Sequence, residues 1–321
     1  MAEWAVSSSV TLVDISKLLK ILIEDGNHTN LPRDARTLLQ TPRNIHVRHL
    51  DNGNYIHFGI KKFLQQFFKH NNINSEVIWL SFSVDGTPVS LSGANSLWPI
   101  FGAIHYDTNL FLRKVFEIGL FNGRTKPESF NNFLSEFVEE LCDLTENGFQ
   151  SEKDNKIFTV KIKSIVADAP ALAALKYVKS HGGYSSCTKC ECRGSFCTAS
   201  STVTFSEINA PPRTNDTFRD RLSSTENDTH HLSMEHTILE KLPIDMVKDF
   251  PLDKMHLVDE GVVKKILILL TTKVNKQKLP AKKVLIINNR LEKCSSYMPM
   301  EFQRKPRSLK YVLKMKATEY R

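Results

Sequence analysis

The apolar positions of residues 1–72 follow helix spacing, then strand spacing, then helix spacing again. A stripe at three- and four-residue steps over residues 12–22 predicts an amphipathic helix. Two β-rich runs on either side of a DNGN turn signal predict a hairpin over residues 44–58. A second amphipathic helix follows, with apolar positions on one side over residues 60–68. We therefore expect a small N-terminal α+β region over residues 1–72.

Residues 73–180 predict the order strand, strand, strand, helix, strand. The strands fall at 77–84, 97–104, 112–120 and 157–166, and the helix falls at 127–145. Asp85 follows the first strand, and Asp168 follows the fourth. Two carboxylates at the ends of neighbouring strands can share divalent ions, and oxygen ligands suit Mg²⁺ or Mn²⁺. The alternative is structural, since Asp-Gly is common in turns and an Asp before Ala-Pro often begins a helix.

Residues 181–250 lose this periodicity and are rich in Cys, Ser, Thr, Asn and Asp. Cys187 and Cys190 form a Cys-x-x-Cys half-site for tetrahedral Zn²⁺, because two thiolates at this spacing can chelate one ion. Cys192 and Cys197 follow closely. Downstream donors for the remaining positions are His230, His231, His236 and His256. Free structural thiols and a redox pair are the alternatives, and a redox motif would have to begin a helix after a strand.

The net charge of +8 is concentrated near the C-terminal end. Residues 261–321 carry 16 Lys/Arg against 3 Asp/Glu, whereas the other 260 residues carry 27 basic and 32 acidic side chains. Helical spacing resumes at Pro251, so residues 251–321 form a basic, helical segment in this interpretation. Its cations could bind a polyanion, since neutralising phosphates releases counterions, or they could line a solvated helix face. The acids of this segment that could complete a metal site are Glu292, Glu301 and Glu319.

Composition and length exclude several classes of protein. With 41% hydrophobic and 24% charged residues, the 321-residue chain is close to ordinary globular usage, and its length suggests about two domains. Six cysteines are too sparse for a disulfide-stapled miniprotein. No run approaches the roughly 18 apolar residues of a transmembrane helix, and no basic stretch precedes an apolar run at the N-terminus. We expect an intracellular protein with reduced thiols and no membrane span.

Several strings occur along the chain in a distinctive order. They are LPRDARTLL (31–39), DGTP (85–88), LWPI (97–100), ADAPA (167–171), HGGYSSCTKC (181–190), FPLDKMHLV (250–258), RKPRSL (304–309) and KATEYR (316–321). Together they resemble the transposase-domain proteins of insect and cnidarian genomes, which are related to the CACTA-type cut-and-paste transposases. The resemblance covers nearly the whole chain.

This resemblance implies an α/β fold, an RNase H-like mixed sheet with helices, in which a zinc-binding insertion separates the second and third catalytic acids. It assigns catalysis, with two Mg²⁺ or Mn²⁺ ions, to Asp85, Asp168 and Glu319. It assigns structural Zn²⁺ to Cys187, Cys190, His256 and His231, with His236 as the second choice for the last position. We assign contact with the DNA backbone to Arg304, Lys305, Arg307 and Lys310. Expected partners are transposon ends, target DNA and further copies of the chain, and the expected location is the nucleus.

The resemblance also has a departure at its C-terminal end. The chain stops two residues after Glu319, whereas members of the family continue well past this position. A helix cut there lacks the following turns, which would hold the carboxylate in place. We therefore expect a truncated copy of a transposase that cleaves and transfers DNA strands. The alternatives are an inactive, transposon-derived fragment that binds DNA or protein, and a redox or zinc protein unrelated to DNA.

Overall fold

The computed structural model describes residues 1–8, 10–41, 45–89, 95–105, 113–221, 230–272, 276–302 and 304–320. The chain forms two compact units, Met1–Val47 and Arg48–Arg321. Within the described residues, none of the helices combines the length and the apolar character needed to cross a membrane. All of the predicted site residues belong to the second unit.

The N-terminal unit contains three helices: α1 (Ala2–Ser7), α2 (Leu12–Glu24) and α3 (Ala35–Leu38). The predicted apolar stripe is confirmed in α2, where Ile15 and Leu19 are buried in a cluster with Ala5. The side chains of Thr11 and Asp34 accept backbone hydrogen bonds at the N-termini of α2 and α3. Such caps satisfy N–H groups that have no partner inside the helix.

One mixed sheet forms the centre of the second unit. Its strands are β1 (Arg48–Leu50), β2 (Gly53–His57), β3 (Val77–Val84), β4 (Thr87–Pro88), β5 (Ser96–His105), β6 (Arg113–Gly123), β7 (Phe149–Gln150) and β8 (Ile157–Val166). Their order is β1-β2-β6-β5-β3-β8-β7, and β4 pairs with β5. β5 runs antiparallel to both β3 and β6, whereas β8 runs parallel to β3. The expected α/β fold with a mixed sheet is confirmed at this level of detail.

Two helices cover one face of this sheet. The helix α5 (Phe130–Asn147) provides the crossover that the parallel pair β3–β8 requires, and α4 (Ile60–His70) packs on the same face. Every second residue of β3 is buried, and the ring of Phe82 meets Phe137 of α5 at 5.0 Å. Phe63 of α4 stacks on Phe116 of β6 at 3.7 Å. The buried faces of the strands and of the two helices therefore pack together in one aromatic core.

The predicted hairpin is present, but it belongs to the main sheet. Leu50 pairs with Gly53, so the turn consists of Asp51 and Asn52. β2 then pairs along its whole length with β6, which places the hairpin beside the core rather than in a separate N-terminal region over residues 1–72. Asn44 and Leu112, where the sequence predicted a hairpin and a strand to begin, lie outside the described residues.

Most of the described elements beyond β8 are short, but one helix has 17 residues. α6 (Ala169–Leu175) follows β8, and the insertion over residues 181–250 contains β9 (Ser195–Cys197), β10 (Thr202–Thr204), α7 (Asn215–Asp220) and a 3-10 turn at Ile238–Lys241. The C-terminal part contains a π-helix at Met255–Val263, α8 (Lys264–Thr271), α9 (Ala281–Tyr297) and 3-10 turns at Leu309–Lys314 and Ala317–Glu319. Helix was predicted to begin again near Ser308, and the structure forms a tighter 3-10 turn there. Val312 and Tyr320 are buried in a small cluster against Leu267.

Candidate metal sites

Asp85 and Asp168 lie at the same edge of the sheet. β3 and β8 are parallel, hydrogen-bonded neighbours, and their last register pair is Ser83 with Val166. Each aspartate lies two residues beyond its member of that pair, so both follow neighbouring strand ends at the same level. Neighbouring strands lie about 4.8 Å apart. The fold thus brings together two acids that are separated by the whole of β5, β6 and α5.

The charge of Asp168 acts on Asp85. Desolvation raises the pKa of Asp85 above its ordinary value, and the negative charge of Asp168 raises it further. A hydrogen bond from the backbone N–H of Gly86 works in the opposite direction. Like charges held this close are stabilised by a proton or by a cation. The pair therefore has the electrostatic character of a cation site.

Asp168 also begins a helix, which is the structural role that the sequence offered as an alternative. Its Oδ1 accepts a hydrogen bond from the backbone N–H of Ala171 at 2.7 Å, and Pro170 stands in the first turn of α6. This is an N-cap, which fixes the direction of the carboxylate. Because the cap uses Oδ1, the same side chain can begin α6 and offer Oδ2 to a cation.

Asp253 and His256 belong to the surroundings of these acids. Nδ1 of His256 is hydrogen-bonded to Oδ2 of Asp253, and Oδ1 of Asp253 accepts a hydrogen bond from the N–H of Met255 at 2.9 Å. The hydrogen bond to Asp253 raises the pKa of His256, burial opposes this rise, and the charges of Asp168 and Asp85 add to it. The fold thus places His256, predicted as a zinc ligand, within the electrostatic reach of the two sheet-edge acids.

A cavity of about 420 Å³ lies between α6, the start of the π-helix and the loop that carries Cys187, Cys190 and Cys192, which we call the cysteine loop. Ala167 and Ala169, on either side of Asp168, line it together with Asp253 and His256. Its remaining walls are mainly apolar, with Lys179 and His181 among them. The cavity gives the sheet edge a concave wall rather than a flat surface.

Glu319, the predicted third acid, pairs with predicted DNA-binding arginines. Its side chain is only 3% exposed, and Arg307 reaches it with an Nε–Oε1 distance of 2.5 Å and an Nη2–Oε2 distance of 3.1 Å. Arg304 lies 3.9 Å from Oε2, and the backbone N–H of Lys316 donates to the same oxygen at 2.8 Å. The contacts of Glu319 are thus with cations of its own segment. The other two predicted phosphate contacts, Lys305 and Lys310, are exposed.

Three cysteines form a donor group that can hold a metal such as zinc. The Sγ atoms of Cys187, Cys190 and Cys192 all lie within 4.8 Å of one another, and those of Cys187 and Cys190 are 3.4 Å apart. Among the residues that the structure describes, this is the only group of three or more Cys, His, Asp or Glu donors at such distances. It includes Cys192, which the sequence placed nearby without assigning it as a ligand. His231 and His256 lie outside the group.

The loop around Cys187 favours the thiolate form of its sulfur. Desolvation opposes this form, but the backbone N–H groups of Lys189 and Cys190 point at the sulfur, and the pKa of Cys187 is lowered overall. Burial raises the pKa of the third thiol, Cys192. N–H groups directed at a thiolate suit a metal-binding loop, since the thiolate is the form that binds metal.

A disulfide or thioredoxin-like role fits this loop poorly. All six cysteines are free, and 3.4 Å between the two sulfurs is far beyond the roughly 2.05 Å of a disulfide. The helix α6 ends at Leu175 and α7 begins only at Asn215, so the Cys-x-x-Cys segment lies in loop structure and begins no helix. The sequence requirement for a redox motif is therefore not met.

The histidines that the sequence offered as further ligands have other surroundings. The buried ring of His231 meets the edge of Phe218 at 4.6 Å, and burial, followed by the charge of Arg221, lowers its pKa to about 4. His236 is 2.7 Å from Glu240. His230 is buried and hydrogen-bonded through Nδ1 to the carbonyl of Ser185 at 2.7 Å.

Comparison with protein families and curated proteins identifies no relative of this chain. No protein-family model and no curated protein matches the chain. The resemblance to transposases therefore stays a prediction, and any function has to be argued from the sheet edge and the cysteine loop.

Sequence reasoning missed three residues in or beside these sites. Cys192 was visible as the third cysteine of a Cys-x-x-Cys-x-Cys string, and that spacing is the signal that could have assigned it. Asp253 stands three residues before His256, but only the tertiary structure shows that the two side chains are bonded to each other and face the sheet-edge acids. Arg213, buried beside the cysteines, had no signal in the sequence at all.

Proposed function

We propose that this chain is a transposase-like DNA-cleaving and strand-transferring protein with a metal-dependent site at Asp85 and Asp168. The observation that carries this proposal is their equivalent position beyond the ends of β3 and β8. Two carboxylates in that arrangement supply oxygen ligands for Mg²⁺ or Mn²⁺, which also bind substrate phosphates. The raised pKa of Asp85 supports the same assignment, because a divalent cation relieves the repulsion between the two acids.

The sheet order supports an RNase H-like core. Three sequential antiparallel strands, β3, β5 and β6, are followed by α5 and then by β8, which returns parallel to β3. This is the strand order expected from the resemblance, with the first acid after the first core strand and the second after the fourth. The hairpin β1–β2 extends this sheet beyond β6.

The proposed reaction is cleavage and transfer of a phosphodiester, and each residue at the sheet edge would supply one part of it. Bound Mg²⁺ or Mn²⁺ would activate water or a 3′-hydroxyl and stabilise the leaving oxygen of a phosphodiester. Asp168 holds its carboxylate in place through the cap of α6, so one oxygen stays fixed at the sheet edge. His256 is held by Asp253 at the same edge, where its ring can donate a hydrogen bond to a phosphate oxygen.

The third acid has two candidates in this proposal. Glu319 follows from the resemblance, but it would have to leave Arg307 and Arg304 to reach a metal. Asp253 acts electrostatically on Asp85 in the present structure. Arg304, Lys305, Arg307 and Lys310 are the proposed contacts to the DNA backbone, with DNA in the nucleus as the partner and a homo-oligomer as the assembly.

The cysteine loop is the proposed structural zinc site. Cys187, Cys190 and Cys192 would hold the ion as thiolates, and its role would be to fold the insertion around the cavity beside the acids. The zinc site would thus stabilise the fold, whereas the sheet-edge acids would bind the catalytic metal ions.

A supercoiled-plasmid nicking assay tests the catalytic part. The assay compares the wild-type chain, Asp85→Asn and a matched control, Asp154→Asn. Asp154 is exposed in the loop before β8, at the opposite end of that strand from Asp168. We expect nicking that requires Mg²⁺ or Mn²⁺, is lost in Asp85→Asn and is kept in Asp154→Asn. Equal nicking by Asp85→Asn and wild type would refute the site.

A second outcome would identify the alternative function. Folded wild-type protein that retards DNA in a gel but never nicks it, in any divalent metal, would indicate an inactive DNA-binding fragment. Salt dependence of that binding would then report on the basic residues around Arg304 and Lys310, because each phosphate contact steepens it.

A further inference from the structure

Three basic side chains are buried or half-buried in this part of the chain, and two of them, Arg213 and Lys189, interact electrostatically with the cysteines. Arg213 is only 8% exposed, and Lys176 is completely buried. Lys189, inside the Cys-x-x-Cys loop, is half-buried. Among the residues that the structure describes, none of these three cations has a carboxylate at ion-pair distance. Burial lowers the pKa of Lys176 to about 7, so this amine can lose its charge, whereas the guanidinium group of Arg213 cannot. A buried guanidinium group without a close counter-charge is unfavourable, so Arg213 favours negative charge nearby.

The two lysines are held by groups that carry no net charge. Nζ of Lys189 donates to the carbonyl oxygens of Val247 and Phe250, the latter at 2.7 Å. Nζ of Lys176 has no hydrogen-bond partner and lies 4.7 Å and 5.1 Å from the ring centroids of Phe218 and Phe250. Carbonyl dipoles and ring faces stabilise a cation but do not neutralise it. Asp245 acts on both lysines, and Asp249 acts on Lys189, in each case from beyond ion-pair distance.

Arg213 is the cation that is built into the cysteine loop. Its Nε donates to the carbonyl oxygen of Cys187 at 2.9 Å, and its backbone N–H donates to that of Lys189 at 3.0 Å. The neighbouring Pro212 forms a β-bridge with Cys190. Arg213 and its neighbour are thus tied to the loop at three points, one of which is a contact of the guanidinium group itself.

The charges of the three cysteines reach this guanidinium group. Desolvation lowers the pKa of Arg213, while Glu191 and the thiolate forms of Cys187, Cys190 and Cys192 act to raise it. Glu191 is the strongest of these negative groups, but it lies beyond ion-pair distance, so three neutral thiols would leave Arg213 without a close counter-charge among the described residues. Three thiolates around one Zn²⁺ carry a net charge of −1, which is the sign that this region lacks.

We propose that Arg213 is a positioning residue of the three-cysteine metal site, where its buried charge balances the negative charge of a thiolate-bound Zn²⁺. The inference rests on the zinc part of the proposed function and is independent of DNA cleavage. It assigns to Arg213 an outer-sphere role: it touches the backbone of a ligand and stabilises the thiolates through space. Outer partners of this kind change metal affinity by about 10- to 100-fold.

Zinc affinity of the full-length chain tests this role with three variants. Arg213→Gln removes the charge but keeps an N–H donor for the carbonyl of Cys187, and Arg213→Lys restores a charge. Arg221→Gln is the matched control, because Arg221 is also buried and forms an ion pair with Glu240 at 2.8 Å. Affinity is measured by competition of Zn²⁺ with a chromophoric chelator, and fold by circular dichroism.

We expect Arg213→Gln to bind Zn²⁺ about 10- to 100-fold more weakly than wild type, and Arg213→Lys to recover most of that loss. Arg221→Gln is expected to lower the unfolding temperature while leaving zinc affinity unchanged. Equal affinity of Arg213→Gln and wild type would overturn the inference. So would equal losses in Arg213→Gln and Arg221→Gln, since they would indicate general destabilisation.

The wild-type chain provides a measurement that needs no variant. Co²⁺ in place of Zn²⁺ should give the charge-transfer absorption of three thiolate ligands. Binding through fewer than three thiolates, or no binding at all, would overturn the inference even if Arg213→Gln failed to fold. The nicking assay uses Mg²⁺ or Mn²⁺ and Asp85, so a negative zinc result and a negative nicking result are distinguishable.

Discussion

Asp85 and Asp168 occupy equivalent positions, each two residues past a strand in the parallel pair β3–β8. The equivalence depends on strand direction, because antiparallel strands would place the two acids at opposite edges of the sheet. It also depends on α5, which carries the chain back to begin β8 beside the start of β3. The candidate catalytic site is therefore a consequence of topology rather than of any local motif.

Two substitutions separate the roles of Asp168 as a cap and as a metal ligand. Asn is as good an N-cap as Asp, so Asp168→Asn should keep the hydrogen bond to Ala171 and leave stability nearly unchanged. Loss of a charged ligand should reduce metal-dependent nicking by roughly a hundredfold or more. Asp168→Ala should in addition lower stability by about 1 kcal/mol, measured by urea unfolding. Normal nicking by Asp168→Asn would place the site elsewhere.

Cys192 should count as a zinc ligand together with Cys187 and Cys190. We expect Cys192→Ser to lose bound zinc as fully as Cys187→Ser, because both sulfurs belong to the three-donor group. Cys197→Ser is the matched control and should keep the metal. Zinc per chain is measured by elemental analysis of purified protein. Full zinc content in Cys192→Ser would restrict the site to Cys187 and Cys190 with donors outside this group.

His256 should affect nicking and leave zinc in place. Its ring is bonded to Asp253 and feels the charges of the sheet-edge acids, so we expect His256→Ala to reduce nicking by about tenfold or more. Zinc content should stay at the wild-type value, measured on the same preparation used for the nicking assay. The opposite result, with zinc lost and nicking kept, would restore the zinc role predicted from the sequence.

Glu319 should contribute to stability through its arginine partners. Removing a buried carboxylate that accepts charged hydrogen bonds costs about 1–3 kcal/mol, so we expect that loss in Glu319→Gln. Arg307→Gln should lose a similar amount, and the double variant should lose less than the sum. Urea unfolding of the four proteins measures this coupling. If Glu319 is also catalytic, Glu319→Gln alone should abolish nicking, whereas Arg307→Gln should not.

Glu140 should make stability fall in acid. Gly59 provides no side-chain cap for α4, and the carboxylate of Glu140 accepts the N–H groups of Ile60 and Lys61 at 2.8 Å and 2.9 Å, and bonds His57. Desolvation opposes ionisation, but these bonds, led by that to His57, lower the pKa of Glu140 overall. Its folded pKa lies below the unfolded one, so its stabilisation is present above the unfolded pKa and lost as pH falls through the folded pKa.

The matched measurement compares wild type with Glu140→Gln and with the exposed neighbour Glu139→Gln. We expect the wild type and Glu139→Gln to lose stability in parallel as the pH is lowered below about 4.5, the ordinary glutamate pKa. Glu140→Gln should be less stable at neutral pH and should show a shallower acid loss. Identical pH profiles for all three proteins would contradict the anchoring role of Glu140.

Local patterns predicted most of the individual elements of the second unit. Alternation along β3 and β8 and the apolar stripe of α5 each reflect burial of one face, which a sequence window can detect. The hairpin turn at Asp51 and Asn52 was also visible, but its pairing with β6 was not. That pairing joins residues far apart in the chain, and no local pattern encodes it.

Local patterns in the sequence predicted the core strands, the main helices, two acids after strand ends and a Cys-x-x-Cys pair that could bind a metal. Which side chains lie together is set by the tertiary fold. It placed Cys192 with Cys187 and Cys190, His256 with Asp253, and Glu319 with Arg307. Periodicity and turn chemistry are properties of a few consecutive residues. These contacts join residues from different elements, so they depend on the strand order and on the paths of the loops.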